Sequence, residues 1–151
     1  MRRSASAAGW VLRWSSRLAH KIRVTRRVLA TIVAHAKAES PHECCGLLIG
    51  TPDSVMRAVP TANVAADPTR RYEIAPADYL KEIKRSRAED LAVVGAYHSH
   101  PASPPEPSPT DVAEAFSDFL FVIAGQAGPG MELRAYQLKD RQLERVVLQP
   151  V

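Results

Sequence analysis

Apolar residues recur near the start of this chain at helical spacing. Val28, Leu29, Ile32, Val33 and Ala36 share one face of a helix that Thr25 can cap and that runs to about Ser40, before Pro41. Ile22-Arg23-Val24, just ahead of it, reads as a short strand. After Pro41-His42 the pattern changes. Cys44 to Ile49 is a continuous apolar run, as in a buried strand, with Gly46 allowing close backbone approach and Gly50 marking the end. Val55 to Pro60 reads as an edge strand and Asn63 to Thr69 as a polar turn. Arg71 to Ile74 reads as a further strand, and Ala77 to Arg87 as a second helix.

Leu91 to Tyr97 carries the clearest central-strand signal, and it delivers His98 and His100 to its carboxyl end. Residues 101–109 contain five prolines, which restrict backbone freedom and lift the chain out of a regular sheet. Ser108 then opens a third helix: Pro109 suits its first position, and Ser108 with Asp111 resembles a capping arrangement. Phe119 to Ala124, Leu133 to Leu138 and Gln142 to Leu148 read as strands that finish a sheet. Strands mixed with three helices predict one α/β layer structure, and the hairpin-like final third argues against a purely parallel sheet.

Composition narrows the function classes. A chain of 151 residues is long enough for one domain with a real core. The formal charge of +4 hides an asymmetry: residues 1–27 hold eight basic residues and no acid, whereas residues 28–151 hold twelve basic and sixteen acidic ones. The domain body is thus mildly acidic, and no nucleic-acid partner is expected. No apolar run reaches eighteen residues, so no membrane span is expected. The two cysteines, Cys44 and Cys45, are adjacent, which disfavours a disulfide scaffold and fits free thiols in a reducing, cytoplasmic compartment. Residues 1–21 read as a poorly ordered basic extension, although Trp10, Trp14 and Leu18 have helical spacing; residues 22–151 read as the domain.

The chemistry lies in His98-Ser99-His100. Residues two apart on a strand point to the same side, so the two imidazoles face one site. Asp111 follows eleven residues after His100. Two histidines and a carboxylate, with water in the fourth position, make a catalytic Zn²⁺ arrangement, and its chemistry is hydrolysis by activated water. Glu43, from a distant segment, is placed to accept a proton from that water and return it to a departing amine. Ser108 can donate a hydrogen bond to a developing oxyanion. Taken singly, each residue has a plainer explanation: Asp111 as a helix-terminal acid, Ser108 as a cap, Glu43 as an exposed acid. Their joint spacing after a hydrophobic strand favours the metal site. The His-x-Glu and Pro-Cys-x-x-Cys segments of zinc deaminases are absent, as is His-Glu-x-x-His.

His98-Ser99-His100-Pro101 followed by Ser108-Pro109-Thr110-Asp111 resembles the JAMM signature of the MPN+ metalloproteases. Glu43-Cys44-Cys45-Gly46-Leu47-Leu48-Ile49-Gly50 resembles the glutamate-bearing strand of that family, and Tyr72-Glu73-Ile74-Ala75-Pro76 a segment of its compact prokaryotic members. The resemblance covers residues 22–148. It implies a cytidine-deaminase-like (MPN/JAB) three-layer fold, with a central mixed sheet and flanking helices. It implies Zn²⁺ on His98, His100 and Asp111, with Glu43 as general acid/base and Ser108 as oxyanion donor. It also implies cleavage of peptide or isopeptide bonds after the flexible Gly-Gly C-terminal tail of a ubiquitin-like or sulfur-carrier protein. A homo-oligomer is left open. The rival reading is a nonenzymatic MPN scaffold that binds ubiquitin-like proteins; such scaffolds normally lose metal ligands, and this chain offers the full set.

Overall fold

The computed structural model describes residues 20–151. Most of the expected 1–21 extension, including Trp10, Trp14 and Leu18, lies outside the described residues; Lys21 already belongs to the first strand. The elements in chain order are β1 (Lys21–Val24), α1 (Arg26–Glu39), β2 (Cys45–Thr51), β3 (Ser54–Thr61), α2 (Pro76–Ala88), β4 (Ala92–His100), α3 (Pro109–Glu114), β5 (Leu120–Ala127), β6 (Gly130–Lys139) and β7 (Gln142–Pro150).

The strands are ordered β1-β3-β2-β4-β5-β6-β7, and β1 returns to pair with β7, so the sheet closes on itself. It is mixed. β1 runs parallel to both β3 and β7, and β4 parallel to β5, while the remaining pairs are antiparallel. Closure corrects one expectation. β3 is not an edge strand, because Ser54 and Val55 pair with β1 while the other side pairs with β2. The β6–β7 hairpin turns on Asp140 and Arg141, both at positive φ (51° and 66°), the handedness that two-residue hairpin loops require.

All seven strands contribute to one apolar cluster, including Ile22, Leu48, Val55, Tyr97, Val122, Ala135 and Val146, and α1 inserts Val28, Ile32 and Ala36 into it. Thr25 Oγ1 caps α1 by accepting from the Val28 N–H at 3.2 Å. The period of two sends Leu47 and Ile49 of β2 and Phe121 of β5 to the opposite face, where they meet Ala96 and Phe119, with Tyr79 of α2 packed against them. Gly46 is required where β2 crosses β4, since a Cβ there would run into the Tyr97 ring.

The segment 71–74 is not a strand. It touches its neighbour through a single bridge, Asn63 to Ile74. The reason is local competition: the Arg71 carbonyl and the Glu73 N–H bond to the Asn63 side chain instead of to a ladder partner.

Candidate metal centre

β4 lies between β2 and β5, with His98 opposite Cys45 on one side and Ile123 on the other. A strand paired on both sides leaves its side chains little freedom. His98 and His100 are buried, and their Nε2 atoms lie 3.2 Å apart. Asp111 Oδ2 stands 3.3 Å from each. Two imidazole nitrogens and a carboxylate oxygen thus form a near-equilateral triangle. Ligand bonds of about 2.0–2.1 Å on a tetrahedral ion would space the ligand atoms about 3.3–3.4 Å apart, so the donor set fits Zn²⁺.

The surroundings orient each donor. A carbonyl can only accept, so the 3.0 Å contact of His100 Nδ1 with the Pro104 carbonyl places a hydrogen on Nδ1 and leaves Nε2 free to ligate. The proline loop that supplies this carbonyl is itself tied down. The Gln126 N–H donates to the Ser103 carbonyl at 2.8 Å, and the Tyr136 hydroxyl to the Pro105 carbonyl at 2.7 Å. Gly125, opposite His100 on β5, lets the loop lie flat, because a Cβ there would strike the Pro104–Pro105 backbone. The Tyr72 ring stacks on His98, with centroids 4.4 Å apart and planes 19° from parallel.

Asp111 is presented by α3. Ser108 Oγ accepts from the Asp111 N–H at 3.0 Å, and the Ser108 N–H donates to Asp111 Oδ2 at 2.8 Å, a reciprocal capping box. Burial opposes ionisation of Asp111, but the close His100 and His98 imidazoles and the hydrogen bond from the Ser108 N–H override it and hold the carboxyl well below the usual carboxylate range. Burial pushes His98 down, towards the neutral form that binds metal.

Glu43 is buried just before β2. Its N–H donates to the Pro68 carbonyl at 2.7 Å. Burial, reduced by the His100 charge and reinforced by Asp111, pushes its carboxyl up to about 7. His42 is exposed beside it. Cys44 is buried, which pushes its thiol up to about 11 and leaves it unreactive at neutral pH.

The structure therefore brings His98, His100 and Asp111 together, puts Ser108 at the cap of α3 and places Glu43 within electrostatic reach. Sequence reasoning missed the contribution of Tyr72 to the wall over His98. Its sequence signal was its place in the Tyr72-Glu73-Ile74-Ala75-Pro76 segment, which carried a family resemblance but no role for the ring. It also passed over Ser99, which points away from its histidine neighbours and accepts the Cys44 N–H at 2.8 Å.

Residues 25–139 match the prokaryotic homologs of the JAB domain. The chain belongs to that family. It is similar to a probable TtuB-protein conjugate cleaving protease of Thermus thermophilus, 37% identical over 119 residues that cover 79% of this chain and 77% of the relative. It is also similar to the CysO-cysteine peptidase of Mycobacterium tuberculosis, 35% identical over 113 residues, 72% of this chain and 77% of the relative. A solution structure of a Desulfitobacterium hafniense protein superposes with a TM-score of 0.77 at 28% identity, covering 86% of this chain and 92% of the other. With these relatives, this JAB-domain chain is a peptidase of the JAMM type. Among the described residues, no helix is long and apolar enough to cross a membrane.

Proposed function

We propose that the chain hydrolyses the peptide or isopeptide bond that follows the C-terminal tail of a ubiquitin-like or sulfur-carrier protein, using one Zn²⁺. The observation that carries this reading is the triangle of His98 Nε2, His100 Nε2 and Asp111 Oδ2 with a buried, proton-affine Glu43 beside it. Zn²⁺ held by His98, His100 and Asp111 would supply Lewis acidity and lower the pKa of a nearby water towards neutrality. Glu43 accepts the proton of that water as its oxygen attacks the scissile carbonyl. Glu43 then returns the proton to the amine as the C–N bond breaks, leaving a carboxylate on the tail. The Ser108 oxygen is engaged by the Asp111 N–H, yet its hydroxyl hydrogen is still available to the developing oxyanion, so capping and catalysis are compatible.

The tail reading draws on the relatives, whose names are those of a probable TtuB-protein conjugate cleaving protease and a CysO-cysteine peptidase. It is supported by a groove of about 560 Å³ beside the site, walled by Tyr72, Tyr79, Phe116 and Phe121 and bordered by the Arg71–Glu114 ion pair. Tyr72 lines the groove and stacks on His98, so the groove and the histidine site share that ring. Glycines fit such a groove because they carry no side chain. We further propose kinship with the cytidine-deaminase fold, and the cytoplasm as compartment, where the free Cys44 and Cys45 persist as thiols.

The test is incubation with a panel of ubiquitin-like and sulfur-carrier proteins fused through their C termini to a reporter, read by mass spectrometry. A cut immediately after the tail in wild type and none in Glu43→Ala is expected. Equal cleavage of unrelated unfolded peptides would reduce the reading to a general zinc peptidase. Tight binding of a tail without any cleavage would favour the nonenzymatic scaffold.

A further inference from the structure

Asn63 follows β3 and lies outside every helix and strand, yet its side-chain amide is fully used. Nδ2 donates to the Glu43 carbonyl and to the Arg71 carbonyl, each at 2.9 Å. Oδ1 accepts from the Ala65 N–H at 3.0 Å and from the Glu73 N–H at 3.1 Å. Two donors and two acceptor positions are all that a primary amide has. One half of this network organises the loop. The other half joins the backbone of Glu43 to the segment carrying Tyr72, the residue stacked on His98.

The Glu43–Cys44 peptide group is gripped from its other side too. Its carbonyl accepts from Asn63, and its N–H donates to Ser99 Oγ at 2.8 Å. Ser99 sits between His98 and His100 on β4, so the far end of the grip is fixed to the strand that carries two metal ligands. A peptide plane held at both its oxygen and its nitrogen cannot rotate without breaking a bond, and the plane sets the direction in which the Glu43 side chain leaves the backbone. The ladder alone does not do this, because Glu43 precedes the first residue of β2.

We propose that Asn63 is a positioning residue for the proton-transfer step: with Ser99 opposite, it clamps the Glu43–Cys44 peptide plane and so aims the Glu43 carboxyl at the histidine pair. The inference rests on the reading of Glu43 as the general acid/base. Asn63 touches none of the three metal ligands directly, so its effect on turnover separates from metal binding. A misaimed base costs rate steeply, since displacement by about 1 Å is worth up to roughly a hundredfold.

Two substitutions separate the clamp from the loop. Asn63→Asp keeps an acceptor for the Ala65 and Glu73 N–H groups but loses both donors. Asn63→Ala loses everything. Zinc-loaded full-length protein is compared for turnover of a tail fusion, zinc affinity and residue-resolved amide exchange. In Asn63→Asp, kcat falls roughly ten- to hundredfold with KM within about twofold of wild type. Zinc affinity is unchanged, Ala65 and Glu73 stay protected, and the Cys44 amide exchanges faster. Asn63→Ala shows the same fall in kcat and loses protection at all three amides. Wild-type kcat and Cys44 protection in Asn63→Asp would overturn the proposal. So would a fall in activity that tracks thermal unfolding and recovers at lower temperature. If wild type cleaves no tail fusion, the functional reading fails on its own, and Cys44 exchange still decides whether Asn63 clamps the plane.

Discussion

α1 and α3 both begin with a hydroxyl cap, and they exist for different reasons. α1 has fourteen residues and buries Val28, Ile32 and Ala36 in the core shared by all seven strands; Thr25 merely finishes it. α3 has six residues and buries none of them. A helix that short has no propensity or packing to hold it, so its geometry comes from the Ser108–Asp111 capping box and the proline loop ahead of it. The same carboxylate that closes the box is the third corner of the metal triangle. In α1 the cap serves the fold. In α3 it serves the site, where the same two hydrogen bonds fix the Asp111 carboxylate and start the helix.

The comparison breaks first at Asp111. Asp111→Ala removes both a proposed ligand and half of the box, so metal retention and turnover should both be lost while the α1 core stays folded. Metal analysis and circular dichroism check this; a zinc-replete Asp111→Ala protein would contradict it.

Glu43 belongs to neither helix and should separate metal from chemistry. Glu43→Gln is expected to lower turnover by about 10²–10⁴ with zinc still bound. It also has a stability signature in the metal-free protein. The folded carboxyl titrates near 7 against an ordinary value of 4.5, so the unfolded chain releases its proton first as pH rises. Stability therefore falls across that interval, and the loss is complete above it. Gln removes the penalty, and chemical denaturation at pH 8 should show a gain of about 1–3 kcal/mol that disappears by pH 4. No gain at pH 8 would mean that the Glu43 site does not resist the charge.

Ser108→Ala and Thr25→Ala sharpen the contrast between caps. Each should cost about 1 kcal/mol of folding or helix stability. Only Ser108→Ala should weaken zinc, by roughly 10–100-fold, as removal of a group that orients a ligand does. Equal zinc affinities in the two variants would show that the cap of α3 is dispensable to Asp111.

Much of this was legible along the chain because local patterns encode it. The period of the apolar residues marks α1, the unbroken run to Tyr97 marks β4, and Ser108-Pro109-Thr110-Asp111 announces the start of α3. Closure of the sheet was not legible. It depends on four residues of β1 pairing in parallel with β7 at the far end of the chain, and no local period encodes a partner that distant. The turn over Asn63 to Thr69 was legible, but the strand expected over Arg71 to Ile74 does not form, because the shape of that stretch is set by one side chain bonding four backbone groups. Residue type alone does not show such a network.

The most direct measurement is a zinc titration of chelator-stripped protein, with turnover of a tail fusion and bound metal read together. Turnover should be absent at the start, rise with added Zn²⁺ and level off at about one equivalent, the single ion that the triangle can hold. Glu43→Gln should take up the same equivalent without turnover, and His98→Ala should take up none. Full activity in the stripped protein, or undiminished zinc uptake by His98→Ala, would contradict a metal-dependent peptidase built on His98, His100 and Asp111.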